Sequence, residues 1–338
     1  MKRTVLAFAL VVLVLPLFAE NISVVTIDVW SGLADGGVFR VRDLEDRAAR
    51  QFRYDLLSSG LASLSADIIA IQDANPLPAY ANQLSADVEY DVVWAMRQAG
   101  VRIGPVGFPT NLREGIAILA PPERSLTRAG TRQLRGGGAG NVAAFQVGPS
   151  STVLATEVEV ADRPVYVFTT RWTPSPQADR ARLRSLVDQY AADDLAGDDL
   201  ISLVGEAVSG SEVRKTEAQR TLVYINELAG QEPVILMGSF HALPDSDEIA
   251  MLRDAGFVDV WQVVGRGAGS TFDPGSNSNI DTSEAGISTD AERIDYIFIR
   301  GDDIAARSVR LIFNRPTYGV YPSDHYGIYA ELRVDPVN

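Results

Sequence analysis

The chain has 338 residues, of which 46% are hydrophobic and 22% charged, with 28 glycines and 17 prolines; this is ordinary globular usage with enough apolar content for a large buried core. Cysteine is absent, which excludes disulfides, a lipid-attachment cysteine and thiolate chemistry, and Lys2 and Lys215 are the only lysines, which leaves almost no amine for Schiff-base or P-loop chemistry. A net charge of −14 repels polyanions and argues against duplex nucleic acid as a partner.

Lys2 and Arg3 precede an apolar run over 5–18, and Ala19 is followed by Glu20 and Asn21. That is the shape of a secretory signal peptide, and the run is shorter than the roughly 18–20 apolar residues that span a bilayer. The expectation is a signal over 1–19, export to the periplasm or the medium, and a mature chain over 20–338 without a transmembrane segment. Leu17 is larger than the small residue usual before such a cleavage site, so an uncleaved tether is the alternative.

Residues 22–29 form a β-branched run suited to a buried strand, and 41–64 carries Leu44, Ala48, Phe52 and Leu56 at helical spacing. Strands are predicted at 67–72, 88–95, 115–119, 151–160 and 164–170, the last two joined by a turn over 161–163. From 177 to 228 the pattern is helical, with a break expected near Ser209 to Ser211. A strand at 233–238, a helix at 246–255, a polar loop at 273–292 and strands at 293–299, 309–313 and 326–334 complete the chain. No internal repeat and no Pro- or Gly-rich linker divides it, so a single domain is expected, an α/β fold in which two packed mixed β-sheets carry helices on their outer faces as a four-layer α/β/β/α sandwich.

Seven segments in order carry a resemblance: VTIDVW at 25–30, DIIAIQD at 67–73, REGIAIL at 113–119, VFTTRW at 167–172, VILMGSFH at 234–241, RIDYIF at 293–298 and SDH at 323–325. Together they resemble the endonuclease/exonuclease/phosphatase superfamily of metal-dependent phosphoester hydrolases, across nearly the whole mature chain. Phosphoester cleavage needs a cation and hydrogen-bond donors around charge that grows on the leaving oxygen, and a group that orients the attacking water. The resemblance implies that His325 is the catalytic histidine, Asp295 the carboxylate that orients it, and Asp324 a carboxylate beside the metal.

Other positions depart from the family pattern. Asp28 replaces the usual Asn, and Asp73 replaces the metal-binding Glu, which withdraws the carboxylate by roughly 1.5 Å. Arg171 stands for the phosphate-contacting His, Ser239 for the water-positioning Asp and His241 for the phosphate-side Asn. Ser239 cannot act as a carboxylate base; Arg171 can clamp a phosphate through its planar fork but cannot shuttle a proton near neutral pH. The family implies Mg²⁺; Asp28, Asp73, Asp324 and His241 form an oxygen-plus-imidazole set that suits Mn²⁺ or Zn²⁺ in a remodelled site, and drift without any metal is the alternative.

The functional expectation is a phosphoester hydrolase by ancestry whose activity is lost or strongly reduced, a pseudoenzyme. The alternatives are an active metal-dependent phosphodiesterase or phosphatase acting on a small or lipid-headgroup phosphoester, and a surface interaction module. Glu114 is read as a surface ion-pair residue or as part of the site edge, Trp30 and Trp172 as core, and Arg124, Arg128, Arg132 and Arg135 as a solvated hairpin face. The acidic loop 273–292 fits no calcium-loop spacing and is expected to be a mobile surface loop near the mouth of the site.

Overall fold

A computed structural model describes residues 18–34, 40–103, 106–136, 150–177, 180–280 and 290–337. Strand β1 (Glu20–Asp28) is buried over most of its length, as its β-branched run requires. A short ribbon of β2 (Leu33–Ala34) and β3 (Arg42–Asp43) precedes helix α1 (Arg47–Leu64). The helix starts later than its periodicity suggests because the Asp46 carboxylate caps it, accepting from the Ala49 N–H at 2.8 Å. Then come β4 (Ile68–Ala74), α2 (Ala79–Val88), β5 (Asp91–Ile103) and β6 (Val106–Ala120). Sequence reading misses α2, whose Ala81, Leu84 and Val88 form its buried stripe; Val88 closes a helix rather than opening a strand.

Strands β7 (Thr127–Arg135), β8 (Ser151–Val160) and β9 (Arg163–Arg171) follow. The β8–β9 turn holds two residues rather than three: Ala161 and Asp162 take φ of 53° and 56°, the left-handed pair that matches strand twist in a tight hairpin. Helices α3 (Arg180–Ala191) and α4 (Gly197–Ala229) come next, and α4 runs unbroken through the expected break at Ser209 to Ser211. Gly210 is there for space, because a Cβ would run into the Ser175 side chain. The chain ends with β10 (Val234–Ser239), α5 (Asp247–Asp254), β11 (Val258–Asp259), α6 (Val260–Val264), β12 (Asp295–Arg300), β13 (Ile304–Ile312) and β14 (Gly327–Val334).

The first sheet has strand order β13-β14-β1-β4-β6-β5 and the second β11-β12-β10-β9-β8-β7. Both are mixed: β1 pairs in parallel with β4, and β10 with β9, while their other neighbours are antiparallel. Each parallel pair needs a crossover, supplied by α1 in one half and by α3 and α4 in the other. Ile22, Val24, Ile68 and Ile118 of one sheet pack against Leu154, Val167, Ile235 and Ile297 of the other, all buried. The outer face of the first sheet packs on Leu57, Leu61, Ala81 and Leu84 of α1 and α2, and that of the second on Ala218, Ile225, Ile249 and Leu252 of α4 and α5. The layers are therefore α/β/β/α, as the pattern of elements predicts. Gln72 crosses the inter-sheet core as a buried polar tie, donating to Thr169 Oγ1 at 2.9 Å. Among the described residues no helix is long and apolar enough to cross a membrane.

Candidate functional site

Sheet register brings the chemistry-bearing residues to one edge of the sandwich. Asp28 ends β1 beside Gln72, one residue before Asp73 on the adjacent β4. On the second sheet Ser239, at the end of β10, pairs with both Arg171, which ends β9, and Asp295, which starts β12. Asp324 and His325 lie just ahead of β14, whose antiparallel run beside β1 returns them to the same edge. Trp30, Asp73 and His241 take φ of 56°, 59° and 47°, a left-handed conformation costly for residues with a Cβ, and all three lie here. Asp73 falls in a register irregularity of β4 against β6, of the kind that re-aims a side chain beside a functional centre.

His325 and Asp295 form the pair expected of them: His325 Nδ1 lies 2.7 Å from Asp295 Oδ2. Burial disfavours a charged His325, but Asp295, Asp28 and Asp324 outweigh it and push its pKa up to about 10, so the imidazole is protonated at neutral pH. The other Asp295 oxygen, Oδ1, is buried without a hydrogen bond among the described residues. The loop is fixed from two sides. Ser323 Oγ donates to the Asp28 carbonyl at 2.6 Å, and Asn277 Nδ2 donates to the carbonyls of Ser323 and Asp324 at 3.0 Å each. Burial pushes Asp324 up to about 6, against the pull of His325.

The opposite half is arranged around guanidiniums. Arg171 Nε donates to Asp28 Oδ2 at 2.8 Å and lies 3.3 Å from Asp73 Oδ1. Arg97, buried, lies 3.4 Å from the same Asp73 oxygen, pairs with Glu114 and donates to the Ser150 carbonyl at 2.9 Å. Burial works to raise Asp73, but Arg171, a hydrogen bond with Glu114, and Arg97 more than offset it and hold the carboxylate well below its usual range. Burial pushes Glu114 up to about 8 against the pull of Arg97, so it is a neutral hydrogen-bonding acid at neutral pH. Glu114 is thus a buried part of the site rather than a surface ion-pair residue. Arg171 is raised still further above its usual range, as Asp73 and Asp28 outweigh its burial.

Ser239 is fully buried, its Oγ 3.3 Å from His241 Nε2. Burial, with Arg171 and His325 adding to it, keeps His241 well below its ordinary pKa and therefore neutral. Its ring stacks edge-on against that of His325, with centroids 5.9 Å apart.

All eight residues singled out from the sequence, Asp28, Asp73, Arg171, Ser239, His241, Asp295, Asp324 and His325, are gathered at this edge. Whether Asp28, Asp73, Asp324 and His241 can hold a cation is decided by what already touches them. A guanidinium lies between Asp28 and Asp73, and their remaining oxygens accept the Trp30 and Ser31 N–H groups at 3.1 and 3.2 Å. At about 4 Å two unit charges in a protein repel by about 4 kcal/mol, and more for a divalent ion, so the set does not fit a cation with Arg171 in place. Among the described residues no cluster of three or more His, Asp and Glu is arranged to hold a metal.

Sequence reading misses Arg97, Ser31, Ser323 and Asn277. Arg97 left a signal, an arginine that interrupts the apolar start of β5, and Ser323 lies within the SDH motif; Ser31 donates its N–H to the Asp73 carboxylate and Asn277 to carbonyls of the 323–324 segment, partners distant in sequence that no local pattern discloses. Trp172 is core, packed edge-on against Phe240. Trp30 is only half-buried; Arg53 lies over its ring at 4.3 Å, and it lines a cavity of about 520 Å³ with Ser31, Asn75 and Tyr80. Of the loop expected to be mobile, the stretch up to Ile280 is instead held by Asn277 and Asn279, which donate to the 321–324 segment; 281–289 lies outside the described residues.

No family model matches the sequence, and no curated protein matches it. Solved structures do match in shape. An endonuclease/exonuclease/phosphatase from Bacteroides vulgatus aligns at a TM-score of 0.63 with 14% identity, over 94% of this chain and 100% of the other. A humanised TDP2 of D. rerio aligns at 0.57 with 19% identity, over 92% and 98%. D. rerio TDP2 complexed with a single-strand DNA product aligns at 0.58 with 18% identity, over 93% and 99%. With its two mixed sheets between helices and its chemistry-bearing residues at one edge, this chain has the fold of the endonuclease/exonuclease/phosphatase proteins.

Proposed function

We propose that this chain is an exported protein, its leader over 1–19 removed and 20–338 folding as one domain, that binds a phosphoester and hydrolyses it weakly or not at all. The observation that carries this reading is Ser239. It occupies the end of β10 between Arg171 and Asp295, where the likeness calls for a water-positioning carboxylate, and it is a buried hydroxyl facing a neutral imidazole. Neither replaces the missing carboxylate: the serine is no base, and burial, with Arg171 and His325 adding to it, keeps His241 well below its ordinary pKa and so a weak one. Protonated His325 is an acid or a hydrogen-bond donor at neutral pH, so it cannot take a proton from water either.

Binding groups remain. Among the described residues Arg171 donates only through Nε, which leaves its two terminal nitrogens for a bidentate contact with phosphate oxygens. Imidazolium His325 supplies a second donor beside it. The acidic surface favours a small phosphoester or a lipid headgroup over duplex DNA. The intact His325–Asp295 pair favours a second reading, a working hydrolase that takes Mg²⁺ as its family does or, in a remodelled site, Mn²⁺ or Zn²⁺.

Hydrolysis of a generic phosphodiester by the purified mature chain with Mg²⁺, Mn²⁺, Ca²⁺ or Zn²⁺, beside His325→Ala and Asp73→Ala, separates the two. The expected result is no turnover above the variants, together with phosphate binding by calorimetry that His325→Ala weakens about tenfold, a change of about 1.4 kcal/mol. Turnover that both variants abolish would establish the second reading.

A further inference from the structure

The two carboxylates that the likeness assigns to a cation already have one between them. Asp28 accepts the Trp30 N–H through Oδ1 and Arg171 Nε through Oδ2, while Asp73 accepts the Ser31 N–H through Oδ2 and turns Oδ1 to both Arg171 and Arg97. All four oxygens are engaged by protein donors. This arrangement is built in rather than incidental: Arg171 is fixed at the end of β9 by its register with Ser239, and Asp73 is held at φ 59° in a strand irregularity that turns it toward the guanidiniums. Arg171 is 13% exposed and Asp28 and Asp73 are 1% and 5% exposed at their side chains, so water does little to screen the pairs.

We infer that Arg171 is this site's own cation, standing between Asp28 and Asp73 in place of a divalent ion and making the site independent of metal. A guanidinium suits this double task in a way that an ammonium does not: its Nε satisfies a carboxylate while its terminal nitrogens remain for an anionic ligand. Arg97 adds a second positive charge against Asp73, so the two arginines together match the charge of one divalent ion. The replacement of a histidine by arginine and the loss of the metal are then one change rather than two. The inference deepens the reading above, yet it is tested through stability and metal binding, so either can fail without the other.

The test is thermal unfolding of the mature chain in EDTA and in millimolar Mn²⁺, with Mn²⁺ affinity measured by calorimetry. The expected wild-type midpoint is the same in both. Arg171→Gln, which keeps a donor toward Asp28 but not the charge, and Arg171→Ala lose stability in EDTA and regain it in Mn²⁺, with affinity for the ion at least about tenfold above the wild type. Asp73→Asn added to Arg171→Gln abolishes that gain. A wild-type midpoint that rises with Mn²⁺, or variants that ignore the ion, overturns the inference. Variants that stay unfolded in Mn²⁺ as in EDTA count against it equally, because an ion in the vacated place should restore them.

Discussion

At the residue scale the site divides into two charge systems. On one side His325 is charged because Asp295, Asp28 and Asp324 surround it; on the other Asp73 is held ionised by Arg171 and Arg97 while Glu114 keeps its proton. The first system predicts a pH dependence. His325 has a folded pKa of about 10 against 6.5 for the free side chain, so the folded state binds the extra proton. Its stabilisation is complete below about pH 6.5 and is lost as pH rises toward 10. Each tenfold gain in proton affinity on folding is worth about 1.4 kcal/mol, so the fall in the unfolding midpoint over this window should be readily measured. In His325→Ala the decline between pH 7 and 10 should be shallower; an unchanged slope would mean that other groups cause it. His325, Asp295 and Asp324 were legible in the sequence because they lie in short motifs. Arg97 and Asn277 were not, because their roles come from partners distant in sequence.

At the element scale, strand ends position the site, and β10 shows how little freedom they leave. Gly238 has φ of 149°, and a Cβ there would run into the Thr170 carbonyl of β9. The residue lets β10 lie close against β9 just before Ser239 and His241. Gly238→Ala is therefore expected to destabilise the fold by about 1–3 kcal/mol and to disturb the Arg171–Asp28 contact. Gly230→Ala is the control, with φ of 53° but open space around it, so it carries backbone strain without a steric clash. Chemical denaturation of both variants decides the order, and an equal cost would deny the close approach. Sequence pattern locates most strands and the long helices, since hydrophobic period is local. It fails at α2, a short amphipathic stretch, and at Gly210, where packing against Ser175 rather than chain breaking requires the glycine.

At the scale of the whole molecule, the −14 charge and the fate of the arginines bear on partners. Of the arginines near β7, Arg124 pairs with Glu20 and Asp67 and Arg132 with Glu227, while Arg128 donates to the Trp94 carbonyl and Arg135 to Thr173 Oγ1. A duplex that tracked phosphates would meet two of these four charges already compensated by carboxylates, on a molecule whose net charge repels it. Fluorescence anisotropy with labelled duplex DNA should therefore show no binding at physiological salt, and no gain as salt is lowered. Affinity that rises steeply at low salt would reveal a cationic track and refute this expectation. The chain shares its fold with TDP2, seen with single-strand DNA, but its surface charge follows its own sequence.

From the sequence alone, hydrophobic periodicity set the order of most strands and helices, and the seven short motifs pointed to the fold and to eight residues that the structure gathers at one edge. Those properties are local, so neighbouring residues suffice to encode them. Only the tertiary structure decided what the eight residues do to one another. Strand register brought Arg171 from one sheet between Asp28 and Asp73 of the other, and burial fixed the protonation of Glu114, His241 and His325. Charge and desolvation depend on distances between segments more than 40 residues apart in the chain, as between Asp28 and Asp73, and no local pattern contains them.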